Sequence, residues 1–353
     1  MKEYRKMKYG LMVVSTGVDE KINIGDYVQA LAAKQFLPST DVFLERETDL
    51  KKYDGEEIKM IMNGWYMNHP ENWPPSEKIN PLFVALHINR CGLPKFLDDE
   101  SISYLKKYEP IGCRDTKSAN LLRDKGVDAY FSGCMTLTLG QKYKSQKRGD
   151  KVYVVEPYCT TAGLIANHKL LSLKTFMYLA LHWTSIRHIT SQKHEKGLKA
   201  LFYNAFFLMQ YSKVFDRKML VEAEYINQYN YDIQKEYTSQ QDKLNYAETL
   251  VRKYSEAACV ITSRIHCALP CLGLDTPVVF VELKGDSDYS TDRFGGLINL
   301  FNVMTWDGLK LNNPLTSFKI NRNRFPKNKE DWRLIAGKLT TTCKKFMVLP
   351  YLV

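Results

Sequence analysis

The sequence predicts an α/β protein of two Rossmann-like domains with a cleft between them. Three observations predict it. Short β-rich runs alternate with helical segments along most of the chain, the pattern of a parallel, doubly wound sheet. At 353 residues the chain is long enough for two domains, each with its own core. The polar, basic stretch Gln141 to Asp150, QKYKSQKRGD, interrupts the alternation and reads as a linker. The expected boundaries are residues 1–145 for an N-terminal domain, 151–325 for a C-terminal domain, and 326–353 for a C-terminal helix and tail.

Taken in order, Tyr9 to Val14 reads as the first strand, followed by a loop and a helix from about Tyr27 to Phe36. Ile58 to Met62 is a buried strand ending at Asn63-Gly64-Trp65, and Leu82 to Ile88 is a third. Ser101 to Lys107 is helical, and Glu109 to Arg114 leads to another strand end. Asp115 to Lys125 is a helix closed by Gly126, and Ala129 to Phe131 is a short strand. Lys151 to Glu156 opens the second sheet, Ile186 to Ser191 fits a strand or a helix end, and Asn245 to Glu256 is helical. Cys259 to Thr262 is a strand, and a helix starts at Ser263 and stops at Gly273. Val278 to Val281 is the next strand, and Asp331 to Val348 the last helix.

Apolar residues make up 44% and charged residues 25%, ordinary for a globular protein, but the net charge of +11 implies an anionic partner. No segment resembles a nucleic-acid-binding module and no C-x-x-C pair exists, which leaves a phosphorylated substrate or a membrane surface. The eight cysteines lack disulfide-framework spacing; Cys259, Cys267 and Cys271 read as buried free thiols of a reducing compartment. MKEYRKMKYG carries no apolar signal core, and stretches such as Thr175 to Trp183 fall short of the roughly 20 residues that span a bilayer, so the expected location is cytoplasmic. His69, His87, His168, His182, His188 and His194 have no metal-site spacing, and neither a Walker loop nor a G-x-S-x-G elbow occurs.

One stretch departs from the plan. His168 to Leu220 is helical, aromatic and basic, with Glu195 and Asp216 its only acids. The preferred reading is a helical layer on the second sheet with solvated lysines; the second is a helix lying in a lipid headgroup interface at the inner face of the membrane.

Three places can carry chemistry. In Asn23-Ile24-Gly25-Asp26, Gly25 permits close backbone approach; Asp26 either caps the helix or turns its carboxylate into the cleft toward a sugar hydroxyl. In Gly112-Cys113-Arg114-Asp115, Asp115 is a natural N-cap, while Arg114 either reaches the cleft or lies on the surface. The richest is Ala257 to Val281, AACVITSRIHCALPCLGLDTPVVFV, which places Arg264 and His266 where a strand's carboxyl end meets a helix start. Ligands bind there in open α/β sheets, and the helix N-terminus favours an anion. Lys284 follows the next strand, with Glu282 able to orient it, and Asp292-Arg293-Phe294-Gly295-Gly296 reads as a loop that closes over a ligand. The plainer alternative is an arginine on the rim and a histidine capping locally.

Together NIGDYVQALAA, GCRDTKSANLLRDKGVDAYFSGCMTLTL and ITSRIHCALPCLGLDTPVVFV resemble the polysaccharide pyruvyl transferase family, in its order and over roughly Tyr9 to Lys284. This chain departs from the family in reading Arg-Ile-His for Arg-Leu-His, Cys134-Met135 for a frequent Asp-Pro, and Tyr27 after Gly25-Asp26. The resemblance implies a glycosyltransferase-B-like arrangement and transfer of pyruvate from phosphoenolpyruvate, as co-substrate, onto sugar hydroxyls as a cyclic ketal. It implies a role in capsule, exopolysaccharide or other cell-surface glycan synthesis, often on lipid-linked acceptors. It assigns His266 as the catalytic acid and Arg114, Arg264 and Lys284 to the donor; Asp26 is the candidate for orienting the acceptor or taking its proton. No metal or organic cofactor is called for. Two alternatives stand beside it: a nucleotide-sugar glycosyltransferase of the same architecture, and a non-catalytic membrane-surface assembly protein.

Overall fold

The computed structural model of the chain describes residues 7–14, 21–230, 232–285 and 294–348. The N-terminal half runs β1 (Lys8–Val13), β2 (Ile22–Asn23), α1 (Ile24–Lys34), β3 (Val42–Glu45), β4 (Ile58–Tyr66), β5 (Ile79–Ile88), α2 (Leu93–Phe96), α3 (Asp99–Lys106), β6 (Ile111–Cys113), α4 (Thr116–Asp124), β7 (Ala129–Phe131) and α5 (Gly140–Tyr143). The C-terminal half continues with β8 (Val152–Val155), α6 (Leu164–Asn167), α7 (Lys169–Leu181), α8 (Trp183–Gln192), α9 (Gly197–Tyr211), α10 (Arg217–Glu222), β9 (Glu224–Ile226), β10 (Tyr229–Asn230) and α11 (Asp232–Glu236). It closes with α12 (Gln240–Glu256), β11 (Cys259–Thr262), α13 (Ile265–Gly273), β12 (Val278–Leu283), β13 (Asn302–Trp306), β14 (Leu311–Asn312) and α14 (Trp332–Val348).

Both sheets have six strands and follow one plan. The first is ordered β3-β1-β4-β5-β6-β7 and is parallel throughout. The second is ordered β9-β8-β11-β12-β13-β14 and is parallel except for β14. In each, the opening strand pairs first with an edge strand, and the chain then jumps to its other side. That reversal makes a switch point between β1 and β4, and another between β8 and β11, where ligands bind at the carboxyl ends. The apolar runs CVIT and VVFV form strands because parallel strands are covered on both faces.

Contacts between the halves run through these same ends. β2 and β10 form a two-stranded antiparallel ribbon, and the Ile24 amide donates to the Gln228 carbonyl at 2.9 Å. The Thr116 amide, just past β6, donates to the Gly295 carbonyl at 3.1 Å. Besides one core in each half, a third apolar cluster is common to both and joins α1 and the segment Met135–Thr138 to α12, α13 and α14. α14 packs back on the N-terminal half, where Lys59 Nζ donates to the Phe346 carbonyl at 2.8 Å.

Several expectations change. Ile186 to Ser191 is helical, inside α8. α1 begins at Ile24 rather than Tyr27, and its cap is Asn23, whose side chain accepts from the Gly25 amide at 3.2 Å; Asp26 is therefore not the cap. α13 stops at Gly273, as the sequence predicts, but the left-handed residue after it is not the glycine. That residue is Asp275, at φ +60°, and Gly273 serves close packing, since a Cβ there would lie 2.5 Å from the Leu137 carbonyl oxygen. Cys259, Cys267 and Cys271 are buried and free.

Candidate active site

The second switch point is built from Glu156, one residue past β8, and Ser263-Arg264, just past β11. Thr262 ties the strand ends together: its hydroxyl donates to the Val155 carbonyl at 2.7 Å and accepts from the Arg264 amide at 2.9 Å. Glu156 is held at φ +43°, a left-handed conformation that costs a residue of its kind about 1–3 kcal/mol. The strained backbone turns its carboxylate onto Arg264 in a bidentate pair, Nε to Oε2 at 2.8 Å and Nη2 to Oε1 at 3.0 Å. A guanidinium has five N–H donors, so this fork leaves three for another anion.

Arg264 and Glu156 line a cavity of about 390 Å³ together with Tyr158, Lys193, Glu195 and Tyr203. Lys193, from the end of α8, lies in an aromatic cage: its Nζ is 5.1, 4.9 and 5.1 Å from the ring centroids of Tyr203, Phe207 and Tyr225. It donates to Asn204 Oδ1 at 2.7 Å. Burial pulls the ammonium below the ordinary lysine value of 10.5, against the opposing pull of Glu195, Cys159 and Glu156. Burial also pushes the Cys159 thiol up to about 12, so this wall holds a neutral sulfur.

His266 sits in the first turn of α13 and is 7% exposed. Its backbone departs from the helix, at φ −83° and ψ 15°. Pro270 gives a physical reason, because it has no amide to donate to the His266 carbonyl four residues back. The Gln228 side chain takes that place, with Nε2 at 3.5 Å from the carbonyl oxygen. Gln228 also donates its own amide to Glu156 Oε2 at 2.9 Å, linking the histidine's backbone to the acidic partner of Arg264.

The N-terminal half closes on this histidine. A Cβ on Gly25 would lie 2.9 Å from His266 Cβ and 3.2 Å from Nδ1, so only glycine fits. Close approach is the role its sequence context predicted. Gln29 Nε2 donates to Asp26 Oδ1 at 3.0 Å and lies 3.4 Å from His266 Nδ1. The carboxylate fixes which end of the amide is the donor, so the second N–H points at Nδ1.

Among the residues singled out by sequence, Asp26 and His266 are linked through Gln29, while Arg264, paired with Glu156, lines the cavity, whose described wall does not include His266. Arg114, past β6, is 2% exposed, which removes the surface alternative; its charge opposes the burial that raises the Cys134 thiol. Beside it, Asp115 caps α4 by accepting from the Ser118 amide at 2.8 Å and also binds His87 Nδ1 at 2.6 Å. Lys284 is exposed past β12, and among the described residues no ion pair joins it to Glu282. Of the predicted closing loop, Asp292 and Arg293 lie outside the described residues, and Gly295 is bound to Thr116.

The family model for polysaccharide pyruvyl transferase matches residues 23–285, from the cap of α1 to the turn after β12. The chain belongs to that family. The match spans Asp26, Gln29, Arg114, Glu156, Lys193, Gln228, Arg264, His266 and Lys284 and ends before the predicted closing loop and α14. No curated protein and no solved structure matches the chain.

For a polysaccharide pyruvyl transferase, the residues that sequence reasoning missed are Glu156, Lys193, Gln29 and Gln228. Glu156 had a usable signal, a carboxylate ending the apolar run VYVVE at a strand's carboxyl end. Lys193 had none, because its cage is assembled from α9 and β9.

Proposed function

We propose that this family member transfers pyruvate from phosphoenolpyruvate to two hydroxyls of a sugar as a cyclic ketal, in the synthesis of a capsule, exopolysaccharide or other surface glycan. The observation that carries the reading is the buried imidazole of His266, approached by Gly25 and Gln29 of the N-terminal half and two residues along the chain from the Glu156-paired Arg264. A glycosyltransferase-B-like arrangement, with the donor on the C-terminal side, is supported by the meeting of the two switch points.

In this reading the protonated imidazole of His266 gives its Nε2 proton to the methylene carbon of the donor, which becomes a methyl group beside an oxocarbenium-like centre, and the ring is left neutral. A sugar hydroxyl adds to that centre, phosphate leaves, and the second hydroxyl closes the ketal. The hydroxyl protons return to the imidazole and to the departing phosphate. Positioned proton transfer of this kind contributes roughly a hundred- to ten-thousand-fold. Arg264, with its three remaining donors, faces the donor's phosphate or carboxylate. Lys193 adds a second cation from the same cavity wall, and Arg114 and Lys284 take up further negative charge. Electrostatic stabilisation of this type is commonly the largest single contribution. Asp26 orients the acceptor or takes its proton. The scheme calls on no metal or organic cofactor. A lipid-linked acceptor at the inner leaflet would agree with the net charge of +11.

The test is incubation with phosphoenolpyruvate, and separately with UDP- and GDP-sugars, against a panel of hexosides. Release of inorganic phosphate with formation of a pyruvyl ketal is expected, and His266→Ala abolishes it. Release of nucleotide from the sugar nucleotides, with no phosphate from phosphoenolpyruvate, would instead make this a glycosyltransferase.

A further inference from the structure

We propose that the outward face of α7 docks on an anionic phospholipid surface, with headgroup phosphates taken up by the cations at its amino-terminal end. The helix presents its large apolar side chains on the side turned away from the protein. Ser172, Thr175 and Leu179 face the protein and are buried. Leu170, Leu173, Met177 and Leu181, spaced by three, four and four residues, lie on the opposite side at 68%, 57%, 57% and 77% exposure. A helix that merely covers a sheet turns its polar side outward. Isolated exposed leucines are common, but a stripe along a whole helix marks a contact surface. The neighbouring elements extend it, with exposed Ile165 on α6, Trp183 opening α8 and Leu198 in the first turn of α9. Among the described residues, eight of the twelve large apolar side chains recorded as exposed fall between 165 and 198.

Charge selects the occupant. Between residues 160 and 199 the only acid is Glu195, whose carboxylate accepts from Asn204 Nδ2 at 2.9 Å. Lys169, Lys174, Arg187, Lys196 and Lys199 are all exposed. Asn167, His168, Lys169 and Lys174 line a surface hollow of about 370 Å³ at the start of the stripe. A second copy of the chain on this face would set like charges against each other, because a two-fold contact pairs a patch with itself. An anionic bilayer answers both features: lysines meet headgroups, the leucine stripe meets the acyl boundary, and Trp183 suits the depth between. No helix among the described residues is long and apolar enough to cross a membrane, so the contact is interfacial. α6 and α7 follow in the chain from Glu156 and Cys159 of the cavity wall.

The inference is independent of the transfer chemistry, because binding is measured without donor or acceptor. The full chain is sedimented with vesicles of phosphatidylglycerol and phosphatidylcholine, and with phosphatidylcholine alone. Binding to the anionic vesicles that weakens with salt is expected. The variant Leu170→Ser/Leu173→Ser/Met177→Ser/Leu181→Ser should partition at least about tenfold less. Lys169→Gln/Lys174→Gln should lose most of the preference for anionic lipid. Independently of any folding change in these variants, brominated phosphatidylcholine within the anionic vesicles should quench wild-type tryptophan fluorescence, and Trp183→Phe should remove that quenching. No binding to anionic vesicles, equal partitioning of the four-serine variant, or no quenching would each overturn the proposal. A concentration-dependent dimer abolished by the four serines, without vesicle binding, would assign the face to a second copy.

Discussion

The two halves share one strand order and differ in the first crossover. Between β1 and β3 the N-terminal half runs a single helix, α1, in which Ile24, Gly25 and every residue from Tyr27 to Ala33 are buried. Between β8 and β9 the C-terminal half runs five helices, α6 to α10, and exposes a row of leucines. The short crossover leaves the N-terminal switch point little but position: a glycine that lets His266 approach, and an Asp26–Gln29 pair that orients the imidazole. The long crossover gives the other switch point Lys193, Glu195 and Tyr203 as cavity wall. Under the proposed function one half therefore aims the acid, and the other supplies charge and a candidate surface contact.

Substitutions can separate these contributions. The largest loss is expected for His266→Ala, a fall of roughly a hundred- to ten-thousand-fold in turnover with an unchanged melting temperature; steady-state kinetics and thermal unfolding check both. Next comes Gly25→Ala, which leaves every polar group in place but sets a Cβ 2.9 Å from His266 Cβ. A displacement of that order is expected to lower kcat about a hundredfold with little change in donor KM. An unaltered kcat would mean that α1 does not aim the histidine.

On the other half, Glu156→Gln removes the charge that holds Arg264. A rise in donor KM of about tenfold is expected, comparable to losing one charge-assisted hydrogen bond, with kcat changed less. The smallest effect is a matter of pH. Burial lowers the Lys193 pKa, so its ammonium loses its proton below 10.5, while an ordinary lysine is still charged. Donor affinity should weaken as pH rises in that range, and Lys193→Met should flatten the alkaline limb of the KM profile.

Much of the scaffold was legible because buried parallel strands carry apolar runs; β5, β8, β11 and β12 announce themselves in that way, and β4 does so despite Lys59 and Asn63. β3, β9 and β13 did not, being short or mixed in burial. Ile186 to Ser191 was ambiguous because β-branched residues suit a strand, while packing on the second sheet makes it helix. At the site, local signals held: Arg264 and His266 stand at a strand end, and Gly25 permits close approach. Pairings were not legible, since Glu156 meets Arg264 across 108 residues and Gln29 meets His266 across 237. No local pattern encodes such contacts. The basic stretch is a helical layer with exposed lysines, as read, but composition could not tell that Leu170, Leu173, Met177 and Leu181 of α7 face outward as well.

The central claim is that one donor molecule lies between the Arg264 guanidinium and the His266 imidazole, at the meeting of the two switch points. A crystal structure with phosphoenolpyruvate bound tests it most directly. The account predicts a phosphate or carboxylate oxygen about 3 Å from Arg264 and the methylene carbon facing His266 Nε2. A donor seated elsewhere, with its methylene out of reach of His266, would contradict it.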